Sequence, residues 1–337
     1  MSHLQNTKPI SRRRLLVASS SLAAGLALPL LGHAQANAPW PNRPIKLIVG
    51  FAPGGVTDGL PRLYATALSE RLGVPVVIEN KVGAAGNIAT AFAAKSAPDG
   101  YNLLASGVGQ IVVLPHTSPI DVNPMTDLVH IAMVGDGDQI LNIAADVPAK
   151  NLAEFVAYVK KNPGKVFWGD AGAGGNQHLY LEYFRSLAGL DMQAVHYKGG
   201  APMLADLLTN RVQISLNAPS VVEPHIAAGK LRPIMIVGKK RNPKMPDVPT
   251  AAEAGFPQME ACSNWLGLHA PKGTPDAIVQ RIHKALADAM QSDAVKAGLE
   301  KMGVYSVMNT PQQFSARIAA DYELFGKVVK ASNIKAE

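Results

Sequence analysis

Short apolar runs that end in glycine-rich turns, each followed by residues repeating at helical spacing, recur along most of this chain. The clearest case is Ile45 to Arg62, IKLIVGFAPGGVTDGLPR. An apolar strand enters Pro53-Gly54-Gly55 and passes straight into a helix whose Leu60, Leu63, Tyr64, Ala67, Leu68 and Leu72 share one face. Pro61 is read as lying in the first turn, where a missing N–H costs little, and Gly73 as the helix stop. Pro75 to Glu79 reads as a second strand. Gly83 to Asn87 is a second glycine turn, feeding an Ala-rich helix that stops at Pro98-Asp99-Gly100. Tyr101 to Ala105 is a third strand, running into Ser106-Gly-Val-Gly109-Gln110. Strands alternating with amphipathic helices predict an α/β fold, with loops gathered at one edge of the sheet.

The pattern restarts further on. Ile131 to Val134 and Gln139 to Ile143 are short apolar runs where the chain is expected to cross into a second domain. Asn151 and Glu154 form a capping box opening a helix that ends at Asn162-Pro163-Gly164. Val166 to Gly169 then runs into Asp170-Ala-Gly172-Ala-Gly174-Gly175-Asn176-Gln177-His178 and a helix through Ala188, repeating the opening motif. Strands at Ala194 to Tyr197, Val212 to Leu216 and Leu231 to Val237 complete this series. Thr250 and Glu253 suggest a short capped helix, and Trp265 to His269 a strand returning to the first domain. Thr274-Pro275 opens a helix with Ile278, Ile282, Leu286 and Met290 on one stripe, and Thr310 with Gln313 caps the terminal helix.

At the end of a buried strand, Gly54 and Gly55 let a ligand approach the main chain, and the N–H groups of a helix start favour an anion. An ordinary strand-to-helix loop that binds nothing remains the alternative for this segment alone.

The chain has 337 residues, enough for two domains, and is 47% hydrophobic and 17% charged. The formal charge of +7 suggests nucleic acid at first sight, yet residues 1–36 hold Lys8, Arg12, Arg13 and Arg14 and no acid. Without them 28 basic residues face 25 acidic ones, and Lys239-Lys240-Arg241 is only a short cluster, so no nucleic-acid partner is expected. Ser11-Arg12-Arg13-Arg14-Leu15-Leu16, an apolar stretch to Leu31 and Ala34-Gln35-Ala36 read as a twin-arginine export signal cleaved after Ala36. That places the mature chain in the periplasm. Cys262 is the single cysteine, which excludes an intramolecular disulfide and reads as a small buried hydrophobe.

Catalytic signatures are thin. Gly172-Ala-Gly174 is followed by Gln177 where a dinucleotide fingerprint needs its third glycine, and neither a phosphate loop nor a nucleophile elbow occurs. His178 and Glu182 stand four apart on a predicted helix and could share a metal, but no third ligand accompanies them. His178 reads equally well as a hydrogen-bonded residue at a helix start. No cofactor and no catalytic residue is expected.

Taken together, the motifs resemble those of the Bug family, the periplasmic substrate-binding receptors of tripartite tricarboxylate transporters. Pro44-Ile45 through Gly54-Gly55 with Asp58 and Arg62, Glu79-Asn80-Lys81 with Gly83, Gly86 and Asn87, and Pro98-Asp99-Gly100-Tyr101 resemble its first domain. Gly172, Gly174 and His178-Leu179 resemble its second glycine loop. Tyr197-Lys198-Gly199, Asp206-Leu207-Leu208, Pro224-His225-Ile226, Gly229 to Arg232, Pro249-Thr250 and Ala270-Pro271 continue the likeness across the mature chain.

The resemblance implies two Rossmann-like lobes of the type II periplasmic binding protein (Venus flytrap) kind, with the ligand cleft between them: residues 37–138 and 261–337 as lobe 1, residues 139–260 as lobe 2. It implies a small carboxylated solute held by Ala52, Gly54, Gly55 and Asp58 on one wall and by Asp170, Gly172, Gly174, Gly175 and His178 on the other. Ser106, Tyr197, Lys198 and Asn217 are further candidates. Asp58 could instead be mainly a helix cap, Tyr197 a core residue and Lys198 a solvated charge. Asp170 and Gly175 stand where the family usually has hydroxyl residues. A carboxylate facing the pocket would call for a ligand with a donor or cationic group, such as an amino acid or heteroaromatic acid, and Gly175 would leave room for a bulkier solute. The partners implied are membrane permease subunits, the receptor itself being a monomer. A sensor protein feeding a membrane kinase, or a hydrolase on the same fold, are the alternatives.

Overall fold

In the computed structural model, residues 39–54, 56–332 and 334 are described. The export-signal reading of residues 1–36 and the Gly55 position therefore lie outside the described residues.

Among the described residues, eleven strands form two sheets. The first holds β1 (Ile45–Val49), β2 (Val76–Asn80), β3 (Asn102–Gly107), β4 (Leu128–Asp136), β10 (Leu266–Pro271) and β11 (Tyr305–Ser306), in the order β11-β4-β10-β3-β1-β2. The second holds β5 (Gln139–Ala144), β6 (Phe167–Asp170), β7 (Gln193–His196), β8 (Ile214–Asn217) and β9 (Leu231–Val237), in the order β7-β6-β8-β5-β9. The α/β architecture is the one expected. Parallel pairing joins β1 to β2 and β3, and β6 to β7 and β8.

Neither sheet is wholly parallel, for a topological reason. A strand that enters a sheet from the edge where its neighbours end must run against them. β5 does so after β4 has left the first sheet through Gly137 and Asp138, and pairs antiparallel with β8. β10 does so on the return, pairing antiparallel with β3 and β4. The two crossing segments are tied together: the Asp136 carboxylate accepts from Ser263 Oγ (2.9 Å) and from the Gly137 N–H (2.9 Å). Burial pushes this acid up to about 6.

The helices follow the apolar spacing. α1 (Val56–Leu72) buries Leu60, Tyr64, Leu68 and Leu72, and Gly73 ends it at φ +75°. Pro61 lies more than one turn inside α1, so the N–H that would bond the Thr57 carbonyl is missing. α2 is Asn87–Ala94, α3 Leu152–Lys161, α4 Asn176–Ala188, α5 Gly200–Leu208 and α6 Pro219–Ala227. α7 (Asp276–Met290) buries Val279, Ile282, Leu286, Ala289 and Met290, while Ile278 sits at the margin of the stripe. α8 (Asp293–Met302) carries no expectation from the sequence; α9 (Pro311–Ser332) opens with reciprocal Thr310–Gln313 bonds of 3.0 and 3.2 Å. Thr250 and Glu253 form the same reciprocal pair (2.8 and 3.2 Å), yet only a turn follows, because Gly255 adopts φ +86° and Pro257 opens a separate 3-10 turn. After β3, where a plain loop is expected, the chain forms a π-helical turn (Gly109–Val113) and a short helix (Leu114–Thr117).

Candidate functional site

The first glycine turn is braced from below by Asp58. The residue is 1% exposed and its carboxylate accepts from the Gly54 N–H (3.1 Å), Arg62 Nε (2.8 Å) and Nη2 (2.9 Å), and Asn80 Nδ2 (2.8 Å). Asn80 Nδ2 also donates to the Phe51 carbonyl (2.8 Å), which fixes the chain between β1 and α1. The Arg62 bond first, then the Asn80 and Gly54 donors, overcome burial and hold the Asp58 carboxyl down at about 2. Asp58 thus braces the turn through these four bonds, and the Gly54 N–H, read from the sequence as free for an anion, is already taken by it.

Two contiguous cavities open beside this turn. The larger, of about 310 Å³, is lined by Phe51, Thr57, Ala85, Gly107, Gly109, Gln110, Leu114, Gly174, Gly175, Asn176 and Asn264. The smaller, of about 250 Å³, shares Ala85, Leu114, Gly174, Gly175 and Asn176 and adds Ser118, Ala171, Gly172, Ala173 and Gln177. Among the described residues, no charged side chain lines either of them. Three chain segments instead present helix starts: Thr57 in the first turn of α1, Gly109 at the π-helical turn and Asn176 at the head of α4. In α4 the Leu179 N–H is the first to bond back, to the Gly175 carbonyl (3.1 Å), so the Asn176, Gln177 and His178 N–H groups have no intrahelical partner. Asn176 Nδ2 donates to Asn264 Oδ1 (3.3 Å), linking this helix start to the returning segment.

Of the residues expected from the sequence, Gly172, Gly174 and Gly175 line the cavities. All three of their amides are engaged within the loop: Gly172 donates to Asp170 Oδ1 (2.9 Å), Gly174 to His178 Nδ1 (3.1 Å) and Gly175 to the Gly172 carbonyl (3.2 Å). Ala52, Gly54 and Asp58 do not line either cavity, although their neighbours Phe51 and Thr57 line the larger one; Ala52 and Gly54 are exposed and Asp58 is buried.

Asp170 is fully buried and turned away from the cavities; its other oxygen bonds His196 Nδ1 at 2.8 Å. A cationic ligand group is therefore not required on its account. His178 packs its ring 4.4 Å from that of His196, and burial lowers its pKa. Because Nδ1 of His178 accepts from Gly174, its neutral ring carries the proton on Nε2. Asp170, His178 and His196 lie within metal-ligating distance of one another, but that tautomer makes His178 a donor and the trio a hydrogen-bonded support for the 171–177 loop. Glu182, paired with His178 from sequence spacing, forms an ion pair with Arg185 instead.

The remaining candidates also face elsewhere. Ser106 Oγ bonds His269 Nε2 (2.8 Å), whose Nδ1 meets His130 Nδ1 (2.8 Å) inside the first sheet. Strand alternation sends Ser106 one way and Gly107, which does line the cavity, the other. Tyr197 donates to Asp206 Oδ2 (2.8 Å), and burial, with Asp206 after it, pushes its hydroxyl up to about 12. Lys198 is exposed, and Asn217 is buried with its Nδ2 on Ser215 Oγ.

Among the lining residues that sequence reasoning missed, Phe51, Thr57, Ala85 and Asn176 stand close to its glycines, Gly107, Gly109, Gln110 and Leu114 come from the end of β3 and the unforeseen turn after it, and Asn264 comes from the segment returning to the first sheet. Ala85 alone bore a readable signal, the turn between Gly83 and Gly86, where it takes φ +50°.

Comparison with known proteins supplies the context. The profile described as "Tripartite tricarboxylate transporter family receptor" matches residues 60–334. BugT of Bordetella pertussis is 36% identical over 315 residues, covering 93% of this chain and 94% of BugT. Among solved structures, R. palustris Rpa4515 with adipate is 33% identical with a TM-score of 0.73, covering 88% of this chain and 99% of its own. MatC from Rhodopseudomonas palustris with bound malate is 29% identical with a TM-score of 0.72, covering 86% of this chain and 100% of its own.

Proposed function

The chain belongs to the tripartite tricarboxylate transporter receptor family, and from that premise we propose that it captures one small organic carboxylate in the cavity beside Thr57, Gln110 and Asn176 and delivers it to the membrane subunits of such a transporter. The observation that carries the choice of ligand is electrostatic: helix starts on α1, on the π-helical turn and on α4 meet one cavity whose lining holds no charged side chain. Aligned peptide dipoles there, and at α4 the Asn176, Gln177 and His178 N–H groups that lack an intrahelical partner, stabilise a negative group without a fixed counter-charge. A neutral lining also accepts and releases an anion more readily than a buried arginine would. The adipate and malate held by the two relatives are ligands of this class.

The reading is of a receptor and not an enzyme. The Ser106–His269 pair is sealed inside the sheet, and no lining side chain offers a nucleophile paired with a base. Residues 37–138 with 261–337 are taken as one lobe and 139–260 as the other, closing about the segments tied by Asp136 and Ser263; the division of strands between the sheets supports this. Export by the twin-arginine route, cleavage after Ala36 and action as a monomer complete the proposal.

Thermal unfolding against a panel of mono-, di- and tricarboxylates tests it. One acid at a hundred times its Kd should add about 2.7 kcal/mol of stability, with one-to-one stoichiometry by calorimetry. Stabilisation by cations or neutral sugars with none by any acid would refute it.

A further inference from the structure

Residues that carry a side chain rarely adopt a left-handed backbone, and among the described residues three do: Ala84 (φ +47°), Ala85 (φ +50°) and Asn210 (φ +58°). Asparagine tolerates that conformation through local hydrogen bonding, and alanine has no such help. The two alanines are adjacent, in the turn between β2 and α2. Both are exposed and stand outside the hydrophobic core, so no buried contact offsets the backbone cost. Strain kept without such compensation points to a role at the surface the residue faces.

Those surfaces differ. Ala85 lines both cavities and Ala84 lines neither. The residues common to the two cavities are Ala85, Leu114, Gly174, Gly175 and Asn176, which makes this ring the neck that joins them. Ala85 and Leu114 follow β2 and β3 of the first sheet, while the other three follow β6 of the second. Because two residues on the second side are glycines, Ala85 and Leu114 supply the apolar bulk of the neck. The turn bearing Ala85 is held at both ends. Gly83 (φ +137°) and Gly86 (φ +94°) close it, the Gly86 N–H bonds the Gly83 carbonyl (3.0 Å), and a Cβ on Gly86 would stand 2.7 Å from Gln110 Cδ. Gln110 in turn donates to the Gly86 carbonyl (2.9 Å) and to Thr90 Oγ1 (2.6 Å).

Resting on the receptor reading above, we propose that Ala85 is a specificity-determining residue: with Leu114 it narrows the neck so that only a slender, unbranched chain runs from the carboxylate at the helix starts into the smaller cavity. Acids branched or ringed at that point are excluded, and the solute class is an unbranched aliphatic acid. The room that Gly174 and Gly175 leave is taken up from the facing side.

The experiment is calorimetric titration of the mature chain with straight-chain mono- and dicarboxylates of five to eight carbons, each against its 3-methyl and 3-phenyl derivative. At the chain length that binds most tightly, the derivatives should bind roughly ten- to a hundredfold more weakly than the parent, the range a pocket reaches by rejecting one extra methyl-sized group. In Ala85→Gly the ratio for the 3-methyl acid should fall to about threefold or less, with the parent little changed. Ala84→Gly relieves the same kind of backbone cost away from the cavities and should keep the wild-type ratio. Ala85→Asn, whose side chain is larger yet compatible with the left-handed backbone, should weaken the straight-chain acid itself by about tenfold or more. Wild type that binds branched acids as well as straight ones, a ratio retained in Ala85→Gly, an equal fall in Ala84→Gly, or an unweakened Ala85→Asn overturns this assignment alone. Failure of every acid to bind overturns the receptor reading with it.

Discussion

Replacing Asn176 by Asp separates the two consequences of placing charge at a helix start. Asn176 is the first residue of the 13-residue α4 and lines both cavities. A carboxylate there faces the positive end of the helix dipole, which should stabilise the empty protein by about 0.3–1 kcal/mol. The same carboxylate would lie roughly 5 Å from a bound anion, where two like unit charges repel by about 1–3 kcal/mol at effective dielectrics of ~20–60. The expected result is a melting temperature equal to or slightly above wild type, with binding of the native acid weakened by about five- to two-hundredfold. Loss of the 3.3 Å bond to Asn264 is a separate effect, and Asn176→Ala measures it without adding charge. Differential scanning calorimetry and titration calorimetry on wild type and both variants give the comparison. If the Asp and Ala variants bind the acid within a factor of two of each other, no anion lies at the head of α4 and the electrostatic reasoning fails.

Asp58→Asn should cost about 1–2 kcal/mol at pH 7, the shift from the ordinary carboxylate value to about 2 being discounted because Arg62 is half-exposed. The depressed acid stabilises the fold above pH ~4 and loses that effect as pH falls toward 2, so urea titrations should show about half of the difference gone by pH 3; a difference constant from pH 7 to 3 would contradict it. Ser106→Ala should leave acid binding within about twofold of wild type while lowering stability by about 1 kcal/mol, measured by the same titrations. Asp170→Ser should destabilise the fold by about 2–3 kcal/mol through the lost bonds to Gly172 and His196, yet leave the ranking of a carboxylate panel unchanged; a reordered ranking would place Asp170 back in the site.

These variants also mark where local pattern stops being informative. The helix of α1, the stop at Gly73 and the caps at Asn151 and Thr310 are contacts between residues a few positions apart, and hydrophobic spacing with i to i+3 bonding is enough to read them. The glycine loops at 172–175 were likewise legible, because unusual backbone angles need glycine whatever surrounds them. The Thr250–Glu253 pair shows the limit even of local rules: the bonds form, but Gly255 turns the chain before a helix can follow.

Side-chain direction was settled at longer range. Asp58, in the first turn of α1, and Asp170 and Ser106, at the ends of β6 and β3, all looked available to a ligand. Asp58 is claimed by Arg62 four residues on and also by Asn80, 22 residues away, Asp170 by His196, 26 residues away, and Ser106 by His269, 163 residues away. The sequence alone determined the alternation of strands and helices, the glycine turns and the kind of group such turns attract, since these follow from backbone sterics and nearest-neighbour bonding. Only the tertiary structure decided which polar atoms remained unpaired at the cavity, because a hydrogen bond is a competition among every donor and acceptor that folding brings within about 3 Å, and most of those competitors are remote in the chain.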